Sequence, residues 1–239
     1  VTDPSATRDQ PLIAIDVVPM SFTTGGGLRV ATARRLYDPY AGQEALPGVL
    51  LQPTELLVDG ARRALETKTG IGRPAVRHLA QIGAFDGPDR DPRSAAISIA
   101  FVAVVDVADA SDVSGVSGAD ATVPRGATGG PAGDPSPVWR DPTGGEPSLP
   151  FDHDRIIRAA VDDVRTRLWR DLPLTRALLG PRFTTADASR LQAALYGAAP
   201  DPGNLNRALR TNPALERVPE PSATGARGGR PPAVWTWTT

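Results

Sequence analysis

The sequence predicts an N-terminal domain of α/β or α+β class followed by a C-terminal winged helix-turn-helix, and three observations lead there. Two apolar, β-branched runs, PLIAIDVV at 11–18 and SAAISIAFVAVVDV from Ser94, bracket a segment of good helix formers. From Asp171 onward the pattern changes to helix, turn, helix and two short strands. Charge divides along the same line: that stretch carries eight arginines against five acidic residues, a balance of +3, which leaves −4 for the remainder of a chain whose net charge is −1. A modestly basic C-terminal unit suits a nucleic-acid partner, although solvated surface arginines produce the same figure.

The first strand, at 11–18, reads as buried because it is apolar almost throughout. Gly25, Gly26 and Gly27 then turn the chain into LRVATARR, where Leu28, Val30 and Thr32 alternate with outward residues in a hairpin-like pair. A helix follows over Thr54–Lys68, with Thr54 as N-cap and Gly70 as its stop. The second buried strand begins near Ser94. Between about 108 and 136 the chain is too poor in large apolar residues and too rich in Gly, Pro and Ser to hold regular structure. It reads as a loop insertion, with an interdomain linker as the rival, and Trp139 with LPFDHD resumes the first domain.

From Phe151, the positions Ile156, Ile157, Ala160, Val164 and Leu168 describe an amphipathic connecting helix with Asp152 as its candidate N-cap. Phe183 to Tyr196 reads as a helix capped by Thr184 or Thr185, GAAPDPG as a turn, and Asn204–Thr211 as a second short helix. A short strand, the loop GARGGRPP and the strand AVWTWTT complete the winged pattern. The expected division is therefore 1–150, a connecting helix at 151–170, and 171–239.

Composition narrows the chemistry. At 239 residues the chain can form two domains, each with a usable core. It has no cysteine and only His78 and His153, so thiolate and histidine-rich metal centres are excluded and a metal would need carboxylates. No run reaches the roughly 18 apolar residues of a membrane span, and the opening VTDPSATRDQ lacks the layout of a signal peptide. A cytoplasmic chain without a membrane partner is expected. Lys68 is the only lysine, a bias that looks genomic rather than functional.

One segment carries a motif. LPGVLLQPTELLVDGARRALETKTGI, Leu46 to Ile71, resembles a Nudix box when aligned on Gly70 and Ile71: Glu55, Arg63 and Leu65 match. Val49 stands in place of the box glycine, Ala64 in place of the glutamate after the arginine, and Thr67 and Lys68 in place of the paired glutamates. Positions three and four apart share a helix face, and a face of methyl, hydroxyl and ammonium groups cannot supply the oxygen ligands of a hard cation. Glu66 is expected to project elsewhere.

Further motifs extend the resemblance. FDGPDRDPR, Phe85 to Arg93, resembles the stretch with which Nudix domains recognise ADP-ribose, with Asp86 and Gly87 inverted. Arg34 and Arg35 with Pro39 and Gly42 resemble the arginine pair and loop that precede the box, and Glu44 stands where relatives commonly place a tryptophan. LPFDHDRI, FTTADASRLQAALYG, NLNRAL and GRPPAVWTW are similar, in order, to the connector, the two helices and the wing ending of the Nudix-related transcriptional regulators, NrtR.

That resemblance implies a Nudix-like α/β/α sandwich joined to a winged helix, in a homodimeric repressor that binds operator DNA and senses a nucleotide such as ADP-ribose within NAD metabolism. It implies no cofactor and no hydrolysis. The ligand candidates are Arg34, Arg35, Lys68, Asp89, Arg90 and Arg93, and the retained box framework is Glu55, Arg63 and Gly70. The DNA candidates are Asn204, Asn206, Arg207 and Arg210 on the second helix and Arg227 and Arg230 in the glycine-rich loop. His153, in FDHD, fits a helix-capping and packing role better than metal binding. Two competing readings are a Nudix hydrolase of nucleoside diphosphate derivatives with an unconventional base, and a catalytically dead adaptor.

Overall fold

The computed structural model describes residues 10–87, 90–106, 135–144, 148–219 and 233–238. Seven strands make one mixed sheet: β1 Leu12–Thr23, β2 Gly27–Arg34, β3 Glu44–Ala45, β4 Gly48–Leu50, β5 Val76–Phe85, β6 Ala96–Val105 and β7 Val138–Arg140. The path runs β3-β2-β1-β6-β5, with β4 also on β1 and β7 also on β2. β1 and β6 pair in parallel, Ile15 opposite Ile99 and Val17 opposite Phe101. These central strands are covered on both faces, which is why both are nearly continuous apolar runs in the sequence. The predicted hairpin is present, with Met20 opposite Val30, but Val30 to Ala33 is buried without the expected alternation.

β5 was not evident in the sequence. It is the edge strand beside β6, mostly half-buried and irregular in register near Val76–His78 and Gln81–Gly83, so its apolar residues show no clean period of two. The helix expected at 54–68 is α1, Leu57–Thr69. Thr54 has a positive φ of 66° and does not cap it; the N-cap is Leu56, without a side-chain bond. The stop is as expected, because Gly70 has a φ of 68° and a Cβ there would meet the Pro135 carbonyl oxygen at 2.8 Å.

Helices cover the two faces of the sheet. Ile15, Val17, Phe101, Ala103 and Val105 pack against Ala61, Ala64 and Leu65 of α1. Val18, Met20, Val102 and Val104 meet α2, His153–Arg167, through Ile156, Ile157, Ala160 and Val164, the spacing anticipated from sequence. Each fully buried Ile or Leu contributes about 1.5–3 kcal/mol. Asp152 occupies the N-cap position of α2 but accepts no capping bond.

The same buried cluster continues through α3 Leu172–Leu179, α4 Thr185–Tyr196 and α5 Pro202–Thr211 to β9 Leu215–Arg217 and β10 Val234–Trp237. With β8, Arg182–Thr184, these last strands form a second, antiparallel sheet in the order β8-β10-β9. α3 went unread in the sequence; Asp171 caps it by accepting from the Leu174 amide at 3.0 Å. Thr184 and Asp187 form a capping box on α4. α5 begins at Pro202, earlier than Asn204, because the Asp201 carboxylate accepts the Asn204 amide at 2.8 Å. The indoles of β10 are satisfied as they enter the core: Trp235 donates to Thr185 Oγ1 at 2.9 Å and Trp237 to the Gly180 carbonyl at 2.8 Å. Among the described residues no helix is long and apolar enough to cross a membrane.

Candidate functional site

The retained box residues form a clamp at the start of α1. Arg63 Nε and one terminal nitrogen each donate at 2.7 Å to the two oxygens of Glu55, and that nitrogen also reaches the Leu50 carbonyl at 2.9 Å. The Gln52 amide adds a bond to Glu55 at 3.0 Å. This bidentate pairing holds the Glu55 carboxyl down at about 2 and raises the guanidinium above its ordinary value. The clamp fixes the loop before α1 against the helix.

The positions aligned with metal ligands do not share one solvent face. Ala64 is wholly buried against the sheet, whereas Glu66, Thr67 and Lys68 are exposed together at the end of the helix. Thr67 Oγ1 donates to the Arg63 carbonyl at 2.6 Å. Glu66 is exposed as Thr67 and Lys68 are, but residues one or two apart on a helix do not face each other, so exposure alone does not bring it onto their face. A divalent cation does not fit this set: one carboxylate beside an ammonium cannot supply several oxygen ligands, and Glu55 is already engaged. Among the described residues no three His, Asp or Glu side chains are grouped to hold a metal ion.

On the other face of the sheet lies a buried polar cluster. Arg90 donates at 2.6 Å to Asp16 Oδ2, which also accepts from Ser98 Oγ at 2.6 Å. Arg90 Nε lies 2.9 Å from Asp152 Oδ1, an ion pair close enough for attraction but not aligned as a hydrogen bond. His153 accepts the Leu46 amide on Nδ1 at 2.9 Å and turns Nε2 toward Asp16 Oδ1 at 3.8 Å. Burial lowers the His153 pKa, against the opposing pull of Asp16. Gly48 is required beside this cluster, since a Cβ there would lie 2.2 Å from Asp16 Oδ1. Arg90, expected to grip a ligand, is instead an internal tie between β1 and the start of α2. Only 7% of its surface is exposed.

Of the other ligand candidates, the structure brings Arg35 and Arg93 into one electrostatic neighbourhood. Burial and then Arg93 lower the Arg35 pKa, with Asp91, Asp16 and Asp38 opposing. Arg35 donates to the Pro39 carbonyl at 2.7 Å and lies 4.8 Å over the Phe151 ring, which also meets Tyr40 in a T-shaped contact and the His153 imidazole at a tilt. Arg93 is held by Asp91 in a bidentate pair of 2.9 and 2.7 Å. Arg34 is exposed and reaches the Gly42 carbonyl at 3.3 Å. Lys68 belongs to α1, on the opposite side of the sheet from Phe151 and α2, and has no contact with this group. Asp89 lies outside the described residues. Glu44 accepts from Thr32 Oγ1 at 2.8 Å and faces Arg140 at 3.9 Å.

The aromatic pair Tyr40 and Phe151, and the buried Asp16, were missed in the sequence. An aspartate in the middle of PLIAIDVV was the available signal, since a charge in a buried strand needs a partner.

Along α5, Leu205 and Leu209 point into the core while Asn204, Arg207 and Arg210 are exposed. The two guanidinium groups have no partner among the described residues. Asn206 is half-buried and donates to the Pro202 carbonyl at 2.9 Å, so it is less available than its neighbours. Arg227 and Arg230 lie outside the described residues.

This arrangement of a mixed sheet between helices, with the box clamp at the head of α1, is a Nudix-like α/β fold. Among solved structures, that of Shewanella oneidensis NrtR in complex with a 27mer DNA matches with a TM-score of 0.67 and 18% identity, covering 95% of this chain and 93% of that one. NrtR from the same organism without DNA matches with a TM-score of 0.66 and 22% identity, over 95% and 94% of the two chains. A MutT/Nudix family protein from Enterococcus faecalis matches with a TM-score of 0.66 and 21% identity, over 96% and 87%. At such identities the likeness is one of fold, and it extends through both sheets. A curated relative, ADP-ribose pyrophosphatase of Methanocaldococcus jannaschii, is 34% identical over 74 residues, 31% of this chain and 42% of that protein. The chain thus matches less than half of that relative. No family model matches the chain.

Proposed function

We propose that the protein is a DNA-binding transcription regulator, a homodimeric repressor in which a non-hydrolytic Nudix-like domain at 1–150 senses a nucleotide such as ADP-ribose. The observation that carries this reading is the C-terminal arrangement: α3, β8, α4, α5, β9 and β10 in order, with β10 between β8 and β9. That is the order of a winged helix, in which the second helix of the helix-turn-helix enters the major groove. In this reading α5 is that helix, and Asn204, Arg207 and Arg210 are exposed on it. Arg227 and Arg230 fall in the sequence between β9 and β10, where a wing would be. In this reading α2 is the connector, and residues from 171 form the DNA-binding unit. The fold shared with a regulator crystallised on DNA supports it.

On the sensing side, Arg35, bonded only to backbone carbonyls, is the cation best placed for a pyrophosphate, while Arg93 beside it is already engaged by Asp91. Arg90 is withdrawn from that role by its burial, and Lys68 by its place on α1, away from the elements that carry Arg35 and Arg93.

The test is selection from a random duplex pool, followed by fluorescence anisotropy on selected and scrambled duplexes at several salt concentrations. A sequence preference is expected, and Arg207→Ala should weaken binding to the selected duplex by about 1–3 kcal/mol. No preference, or unchanged binding in the variant, would overturn the regulator reading. The second reading, a hydrolase, is favoured by the 74-residue likeness to an ADP-ribose pyrophosphatase. Mg²⁺-dependent turnover of ADP-ribose that disappears in Glu66→Gln would establish it instead.

A further inference from the structure

A cavity of about 500 Å³ lies between the loop after β7 and the outer flank of α2, and it shares no residue with the Arg35–Arg93 group. Its volume falls within the range of small-molecule sites, roughly 300–1,000 Å³. Ile157 and Val161, both nearly buried, give it an apolar floor one helical turn long.

The carboxylates around it are all anchored. Asp141 accepts from the Thr143 amide at 2.8 Å and hydroxyl at 2.7 Å, bonds that keep it ionised by lowering its pKa. Asp154 accepts from Ser148 Oγ at 3.0 Å and the Leu149 amide at 2.9 Å. Asp162 accepts from Arg165 at 2.6 Å, while Arg165 Nε is held by the Leu195 carbonyl at 2.6 Å. Arg158, exposed at the rim, has no hydrogen bond or ion pair among the described residues.

We propose that this cavity binds a ribosyl phosphate, either free or as part of a nucleotide. The guanidinium of Arg158 presents a fork of donors suited to a phosphoryl group. Each anchored carboxylate keeps lone pairs for the hydroxyls of a sugar, as acidic residues do for the ribose in dinucleotide sites. The apolar floor accepts the ring face. Inorganic phosphate alone would leave the apolar floor uncovered and could reach few of the separate carboxylates, and an unphosphorylated sugar would leave Arg158 unused.

The proposal does not depend on the DNA-binding reading, because it is tested without DNA. Calorimetry on the full chain should show saturable binding of ribose 5-phosphate, weakened at least about tenfold in Arg158→Ala and less in Arg158→Lys, with both variants matching the parent in urea unfolding. Ribose and inorganic phosphate should each bind at least about tenfold more weakly than ribose 5-phosphate. Adenosine monophosphate binding more tightly than ribose 5-phosphate, with the same Arg158 dependence, would identify the ligand as a nucleotide rather than a free sugar phosphate. Absence of saturable binding, an unchanged Arg158→Ala, or equal affinity for inorganic phosphate would overturn the assignment.

Discussion

The arginines of the N-terminal sheet and those of α5 live under opposite conditions. Arg63 is gripped by Glu55, Arg93 by Asp91, and Arg90 by Asp16 and Asp152. Arg207 and Arg210 stand in solvent with no acidic partner among the described residues. An arginine tied to a carboxylate has surrendered much of its capacity to hold a second anion, whereas one in open solvent keeps all five donors. The contrast separates positions that keep the fold from positions that can meet a polyanion, and it moves Arg90, a ligand candidate by sequence, into the first group.

The largest effect should come from breaking the most deeply engaged of them. Arg90→Met leaves Asp16 and Asp152 inside the protein without their cation, and uncompensated charges of that kind cost about 3–5 kcal/mol. Urea unfolding at neutral pH measures the loss directly. The solvent-side clamp should tolerate Arg63→Ala far better, because water can replace the lost guanidinium. If the two variants were destabilised equally, the distinction between an internal tie and a surface clamp would fail.

The clamp residues stood out in the sequence as a motif, though their pairing did not, and the tie did not stand out at all, for a physical reason. Glu55, Arg63 and Gly70 lie within one loop and helix, so their spacing encodes their geometry. Arg90 meets Asp16 and Asp152 across three separate elements, a meeting that only the packing of α2 on β1 creates. The same rule sorts the fold. β1, the hairpin, β6, α2 and α4 announce themselves through long apolar patterns, glycine turns or caps. β5 escapes because an edge strand need not alternate, and α3 because LPLTRALL is only eight residues long, too short to show a helical period. Thr54 has the side chain of a cap but the wrong backbone, a matter of φ that residue identity does not reveal.

A smaller effect should separate the buried cluster from the surface through pH. Burial lowers the pKa of both His153 and His78 in the folded chain. Each folded histidine therefore resists a proton that the unfolded chain accepts near its ordinary value of about 6.5. Stability should fall as pH drops through that value toward the lowered one, then level off. His153 faces Asp16, Asp152, Arg90 and Arg35, and Asn can keep an acceptor near the Leu46 amide. His153→Asn should make the slope of unfolding free energy against pH shallower by up to about 1.4 kcal/mol per unit between pH 5 and 7. The carboxylates whose pKa values are lowered act mainly below about pH 4, outside this window. Parallel slopes for the variant and the parent would show that His153 carries none of the dependence.

The smallest effect should be found on α5, and its smallness is what gives it value. Helix α5 is held by Leu205 and Leu209 in the core and by the Asp201 cap, none of which involves Arg210. Its guanidinium lies in solvent without a partner among the described residues, near the helix end where its charge gains only a few tenths of a kcal/mol from the backbone dipole. Arg210→Gln keeps a long polar helix former in place, so the unfolding free energy should stay within about 0.5 kcal/mol of the parent. Its charge, by contrast, should matter to any polyanion that α5 meets. If Arg210 touches a phosphate, the variant should bind all duplexes more weakly, and the slope of log affinity against log salt should flatten by about one. Loss of stability without that change in slope would move Arg210 into the first class of arginines, those that hold the fold together, and would leave Arg207 as the only basic residue of α5 available for DNA.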